Sequence, residues 1–270
     1  LVDVTLDLED GAPVGSEEPL RHLFVNLLTS SHNVCKQVGV RVHPVDSEHF
    51  WRDIELLLAG AAELISYVTI PKVRSVRDAR WAAGLIERAK EKRAPFHAIA
   101  LHLLIETPEA LASLPELASI PEVETLDFGL MDYISQLGGA IPASCMRSPG
   151  QFDHHLLQHA KTAIAQAALG ASKIPSHNVT VDVRDPERAY QDAFKARHEF
   201  GFLRMWSIHP EQIEPIIRGM TPSHDEIAEA KEIINAARAA SWGPIELRGR
   251  LHDRASYRYY WGVLSQSGNV

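Results

Sequence analysis

The chain has 270 residues, 45% hydrophobic and 23% charged, with a formal net charge of −8. That length suits one α/β barrel as well as two small domains, and the acidic balance argues against nucleic acid or an anionic membrane surface as the main partner. No apolar run approaches the roughly 20 residues that span a bilayer; with no signal-peptide pattern and only Cys35 and Cys145 as cysteines, a cytoplasmic protein without disulfides is expected.

The spacing of apolar residues predicts a strand over Leu1–Leu8, a loop, and a helix from Glu18 to Ser30. Strands follow at Val38–Val42 and Leu64–Ile70, separated by a helix over Trp51–Leu58. A long helix over Ser75–Lys92 has Val76, Ala79, Ala83, Leu85 and Ile86 as its inner stripe. Next come a strand at His97–Ile105, a short helix at Glu109–Leu117 and a strand at Val123–Gly129. The longest interruption runs from Gly138 to Pro175 and contains a helix over Asp153–Leu169. Val179–Val183 reads as a strand, Pro186–Phe200 as a helix opened by proline, and Leu203–Ile208 as the last strand. Ser223–Ala240 is a helix entered through a capping box, Ser223 with Glu226, and Ile227, Ala230, Ile233, Ile234 and Ala237 form its buried face. Gly243–Val270 is rich in arginine and aromatic residues.

Runs of Val, Ile and Leu without alternation read as strands buried on both faces, hence a parallel sheet. Alternation with helices predicts a (β/α)8 TIM barrel over residues 1–240, with residues 241–270 as a C-terminal helical arm. Seven strands are read where a closed barrel needs eight, so the first is expected to lie ahead of Leu1. In such a barrel the active site sits at the carboxyl ends of the strands, and here those ends carry Asp10, Arg41, Lys72, Glu106, Asp132, Asp185 and His209.

Glu106 and Asp132 end successive strands about one β–α unit apart. Neighbouring strands lie about 4.8 Å apart, so the two carboxylates can share one small cation. Few protein oxygens, with room left for water and substrate, is the pattern of Mg²⁺. The alternative is that each acid caps a helix or pairs with a lysine. Arg41 lies inside a buried strand, where its fixed fork suits a carboxylate or oxyanion; a structural ion pair to Glu9 or Asp10 is the alternative. Glu9 and Asp10 are expected to accept hydrogen bonds from water around the cation. His154, His155 and His159 read as a polar helix surface rather than a metal site, Cys145 has no activating partner, and His43 and His209 shape the mouth by hydrogen bonds.

These motifs, in this order, resemble the citrate lyase beta-subunit-like branch of the HpcH/HpaI aldolase family, on its malyl-CoA-lyase side. LDLEDGAP is similar to the family's D-L-E-D segment, VRVHP to V-R-x-N-P and LLIETPEAL to I-E-T. LDFGLMD is similar to F-G-x-x-D, and WSIHPEQIEPI to I-H-P-x-Q. The resemblance implies Glu106 and Asp132 as Mg²⁺ ligands and Arg41 as the group that stabilises an enolate. It also implies the backbone N–H groups around Leu130, Met131 and Asp132 as the seat of an α-keto-acid carboxylate. RGRLHD resembles the family's D-G-K-M-x-D segment, which makes Asp253 the acid that an arm supplies to a neighbouring subunit's site. Such an arm requires a homo-oligomer, and the resemblance implies a trimer or its doubling. Three departures stand out: the family's N-terminal strand is absent, His43 replaces asparagine, and Arg204–Met205–Trp206 replaces the segment bearing the family's lysine.

The expected activity is Mg²⁺-dependent cleavage or formation of a carbon–carbon bond, joining an acyl-CoA and an α-keto acid such as glyoxylate into a 3-hydroxyacyl-CoA. Two rivals stay open. One is a divalent-metal aldolase for free 2-keto-4-hydroxy acids; the other is a non-catalytic barrel that binds a keto acid or acyl-CoA.

Overall fold

A computed structural model of the chain describes residues 2–91 and 98–267. Seven parallel strands lie side by side in chain order: β1 (Val4–Asp7), β2 (Val38–Arg41), β3 (Tyr67–Ile70), β4 (Ala100–Ile105), β5 (Val123–Phe128), β6 (Ile174–His177) and β7 (Arg204–Met205). Such an order needs a helical crossover on the same side after each strand, and the right-handed twist of strands then curls the sheet. The first helices are α1 (Glu17–Thr29), α2 (Phe50–Ala61), α3 (Val76–Glu91), α4 (Pro108–Ala112), α5 (Leu114–Ala118) and α6 (Leu130–Gln136). They are followed by α7 (Gly150–Asp153), α8 (His155–Gly170), α9 (Pro186–Phe200) and α10 (Pro210–Met220). The curl carries β7 back towards β1, and the Arg204 guanidinium pairs with Asp3 across the interval. The expected closed ring of eight strands is therefore seen as a curled sheet of seven, with β1 and β7 as edges that do not hydrogen-bond to each other.

Register divides each strand into two faces. Val38, Val40, Val68, Ile70, Leu101, Leu103, Ile105 and Leu126 point outward into the main core under the helices. The inward set is polar: Asp7 lies opposite Arg41, Arg41 opposite Thr69, Thr69 opposite His102, and His102 opposite Thr125. The expectation of strands apolar on both faces is thus corrected. A small curled sheet encloses a lumen, and here it is filled by hydrogen-bonding side chains. Tyr67 crosses it to hydrogen-bond Thr5 at 2.7 Å and stacks on His102 at 3.9 Å between ring centroids. Gly39 makes that crossing possible, because a Cβ there would lie 2.1 Å from the Tyr67 ring.

Several local readings change. The segment expected as a strand at Val179–Val183 is irregular loop, and β6 lies earlier, at Ile174–His177. Pro175 obscured it, since proline within a run argues against a central strand; its carbonyl nonetheless accepts from Leu203 N–H at 3.0 Å. The last strand contracts to Arg204–Met205, the single helix expected at Glu109–Leu117 is split into α4 and α5, and neither α6 nor α10 was foreseen. The predicted helix end at Lys92 and strand start at His97 fall outside the described residues.

Beyond the sheet, α11 (His224–Ala239) is followed by a hairpin of β8 (Ile245–Leu247) and β9 (Arg250–His252), then α12 (Arg254–Gln266). The predicted capping box is present, with Ser223 accepting from Glu226 N–H and Glu226 accepting from Ser223 N–H. The apolar stripe of α11 packs on Tyr257, Val263 and Leu264, a core separate from that of the sheet. Placed with the barrel on sequence, α11 therefore shares its core with the C-terminal segment. Among the described residues no helix is long and apolar enough to cross a membrane.

Candidate active site

The carboxyl ends of β1 to β5 converge on one charged cluster. Asp7 is the last residue of β1 and Arg41 the last of β2, paired in register. Arg41 donates to both Asp7 oxygens, at 2.7 and 2.5 Å, and lies 3.3 Å from Glu9. Burial pushes the Asp7 carboxyl up, but the Arg41 hydrogen bonds and charge outweigh it and hold the group below the usual aspartate range. Gly11 closes the turn beside it, where a Cβ would stand 2.3 Å from Asp7 Oδ2. The structural-pair alternative for Arg41 is thus partly realised: Glu9 takes part, and the main partner is Asp7. A guanidinium has five N–H donors and these contacts occupy three, so two remain for an oxyanion.

Glu106 follows β4 directly and is 3% exposed. Lys72 N–H donates to its Oε1 at 2.5 Å. Burial, with Asp132 and Glu9 nearby, pushes the Glu106 carboxyl up to about 8 against the opposing Lys72 hydrogen bond. Two carboxylates are held close with too little positive charge between them, an arrangement that suits a divalent cation. Asp132 sits in the first turn of α6, its side chain 33% exposed. Gly129 permits the approach, because a Cβ there would lie 2.2 Å from Glu106 Oε2. Among the described residues no group of three or more His, Cys, Asp or Glu could hold a metal. A pair of carboxylates leaves most coordination positions to water and substrate, which fits Mg²⁺.

Lys72 is the residue that motif reading passed over. Its ammonium pairs with Glu9, lies 3.0 Å from Asp10 and 3.8 Å from Asp132, and so ties three acids together. Burial lowers its affinity for a proton, but these partners reverse the effect and raise it. Glu9 and Asp10, expected to face water around a cation, thus face a lysine. Each acid had been allowed a bland partner, and Lys72 supplies one to both Asp132 and, through its backbone, Glu106. The available signal was its place after β3, at the same sheet end as the other charges.

Leu130 and Met131 open α6, whose first N–H groups have no partner within the helix; Leu130 is buried and Met131 exposed. Trp206, in the departing segment after β7, donates to Asp127 at 3.1 Å, and its ring lies 6.0 Å from the Arg41 guanidinium. His43 meets Asp53 at 2.7 Å and His209 accepts from Glu211 N–H, local roles at the ends of β2 and β7. His154 caps α8, and Cys145 is buried. A cleft of about 470 Å³ beside Lys72 is lined by Arg74, Arg77 and Trp81 among others. Asp253 is not part of this cluster's hydrogen bonds: its side chain accepts from Ala255 and Ser256 N–H, capping α12, and among the described residues it makes no ion pair to Arg250 or Arg254.

Residues 3–210 match the family described as HpcH/HpaI aldolase/citrate lyase. The chain belongs to that family of carbon–carbon lyases. It is 27% identical over 279 residues to the L-malyl-CoA/beta-methylmalyl-CoA lyase of Rhodobacter capsulatus, covering 98% of this chain and 86% of the relative. A crystal structure described as a citrate lyase from Burkholderia xenovorans LB400 superimposes with a TM-score of 0.91 at 47% identity, covering 98% of this chain and 83% of that one. The citrate lyase beta subunit of M. tuberculosis, complexed with oxaloacetate and magnesium, gives a TM-score of 0.65 at 25% identity, with coverage of 81% and 86%.

Proposed function

We propose that this protein makes or breaks a carbon–carbon bond between the acyl group of a thioester and an α-keto acid, with malyl-CoA or citramalyl-CoA as the 3-hydroxyacyl partner. The observation that carries this is the Glu106–Asp132 carboxylate pair beside the clamped Arg41. Those two acids would hold Mg²⁺; that a relative from M. tuberculosis binds magnesium supports the choice of ion. When bound, the ion would act as a Lewis acid on the keto-acid carbonyl. The N–H groups of Leu130, Met131 and Asp132, at the positive end of α6, orient the keto-acid carboxylate. Arg41 keeps its position through Asp7 and Glu9, and its two spare donors offset charge on the enolate oxygen as the acyl carbon becomes nucleophilic. Asp253 from a neighbouring chain takes or returns the proton of the acyl methyl group. That role requires an oligomer with the α11–α12 unit as the connecting arm, and the family resemblance implies a trimer or its doubling. An eighth strand between β7 and β1 would complete the barrel.

The cleft beside Lys72 carries Arg74 and Arg77 together with Asp46 and Asp78 on its wall, and the thioester reading takes the two arginines as the contacts for an extended anionic carrier. Turnover of malyl-CoA and citramalyl-CoA, compared with free 4-hydroxy-2-oxo acids in Mg²⁺ and in EDTA, tests the reading. Turnover of CoA esters that stops in EDTA is expected. Preference for free acids would move the assignment to the aldolase, and no turnover of either, with retained ligand binding, to a binding protein.

A further inference from the structure

On the outer side of β6, away from the charged mouth, Lys161 of α8 is wholly buried. Its Nζ lies 2.5 Å from His177 Nε2, 2.8 Å from Asn178 Oδ1 and 3.2 Å from Gln151 Oε1. The surrounding hydrogen bonds fix what each partner is. His177 Nδ1 faces the Asn178 carbonyl at 3.0 Å, which only accepts, so Nδ1 carries the proton and Nε2 is a bare acceptor in the neutral ring. Asn178 Nδ2 donates to the Val179 carbonyl and to Gln151 Oε1, which leaves Oδ1 towards the lysine. Gln151 Nε2 donates towards Asp192 and Ser148, which leaves its Oε1 as an acceptor too.

Three acceptors therefore surround Nζ and no donor does, which is the environment of –NH₃⁺ and not of a neutral amine. Burial pulls Lys161 well below its usual range even against the charge of Asp192, and it also keeps His177 neutral; the case for a charged Nζ is the three acceptors around it. The opposing acid is Asp192, towards which Ser148, Thr180 and Gln151 all donate; burial pushes its carboxyl up against those hydrogen bonds. Gln151 thus bridges the two groups, its Oε1 towards Lys161 and its Nε2 towards Asp192.

The cation also touches the site from behind. Nζ lies 5.1 Å from the Phe128 ring centroid and 4.7 Å from that of Phe152. Phe128 ends β5 and packs edge-on against Tyr133 at 5.7 Å, next to Asp132 in α6. Gly129, between them, donates to the Ile105 carbonyl at 3.1 Å, immediately before Glu106.

We propose that Lys161 is a positioning residue: a buried ammonium that, through Phe128, sets the Gly129–Asp132 turn at the distance from Glu106 that a divalent cation requires. The inference rests on the Mg²⁺ reading, and the experiment separates the two. Calorimetric titration of Mg²⁺ alone into the wild type, Lys161→Met and Phe128→Leu is run well below each protein's melting temperature, with lysine Nζ NMR reporting the charge at pH 7. Wild-type binding, a charged Lys161 and at least tenfold weaker Mg²⁺ binding in Lys161→Met are expected. Phe128→Leu, which keeps apolar bulk and loses the ring face, should weaken binding about threefold or more; it alone decides the matter should Lys161→Met fail to fold. Absence of Mg²⁺ binding in the wild type defeats the metal reading. Wild-type affinity in a folded variant, whatever its melting temperature, or a neutral Lys161, overturns the positioning role.

Discussion

Lys72 N–H donates to Glu106 Oε1 at 2.5 Å, and Lys72 itself stands in the left-handed region at φ 52°. One residue thus orients the buried acid with its backbone and gathers Glu9, Asp10 and Asp132 with its ammonium. For a residue with a Cβ that backbone costs about 1–2 kcal/mol, and glycine adopts it freely. Lys72→Gly and Lys72→Ala both remove the ammonium, yet the glycine variant should be the more stable, by about 1 kcal/mol. Urea unfolding of the two compares them directly. Equal stability would mean that the turn relaxes to another conformation.

Glu106→Gln and Asp132→Asn keep shape and remove charge. Each should abolish Mg²⁺ binding in calorimetry and lower turnover by at least 10²-fold, since polarisation of the carbonyl is worth several kcal/mol. Far-ultraviolet circular dichroism should be unchanged. Substantial Mg²⁺-dependent turnover in either variant would place the cation elsewhere.

Gly129→Ala drives a methyl group to 2.2 Å from Glu106 Oε2 and 2.5 Å from Glu106 Cβ. The glutamate is buried and cannot swing away, so the turn must shift. A destabilisation of about 1–3 kcal/mol is expected, with Mg²⁺ affinity falling more than stability alone explains. Thermal melts with and without Mg²⁺ measure both effects.

Asp7 is held below its usual range by Arg41, with burial opposing. A carboxylate depressed in the folded state binds fewer protons folded than unfolded. Its contribution is complete above the unfolded pKa of about 3.9 and disappears as pH falls through the folded value. Asp7→Asn should therefore lower stability near pH 7, and the gap to wild type should close below pH about 4. A gap that is constant with pH would show that packing and not charge is lost.

Asp253 caps α12. Asparagine caps as well as aspartate, whereas alanine costs about 1 kcal/mol. Asp253→Asn should thus melt like wild type while proton exchange at the acyl methyl falls by about 10²–10⁴; Asp253→Ala should lose both. Full exchange in the asparagine variant would reduce Asp253 to a cap. Light scattering that finds a monomer at micromolar concentration would remove the arm's supposed target.

Local chemistry was legible in the residues themselves. The Ser223 capping box and the proline opening α9 depend on neighbours a few positions away and appear as read, and the alternation of strands and helices holds for the strands from β1 to β5. Glu106, Asp132, Arg41, Glu9 and Asp10 could be placed at one sheet end because a parallel α/β repeat sends every strand the same way. What depends on distant partners was not legible. Asp7 as the clamp of Arg41, Lys72 as the tie between acids, and the Lys161–His177 contact join residues far apart in the chain. Strand β6 was hidden by Pro175, whose tolerance rests on which neighbour its carbonyl meets. The polar lumen was likewise concealed: alternation in a short strand shows only once curling of the sheet has separated an inside from an outside.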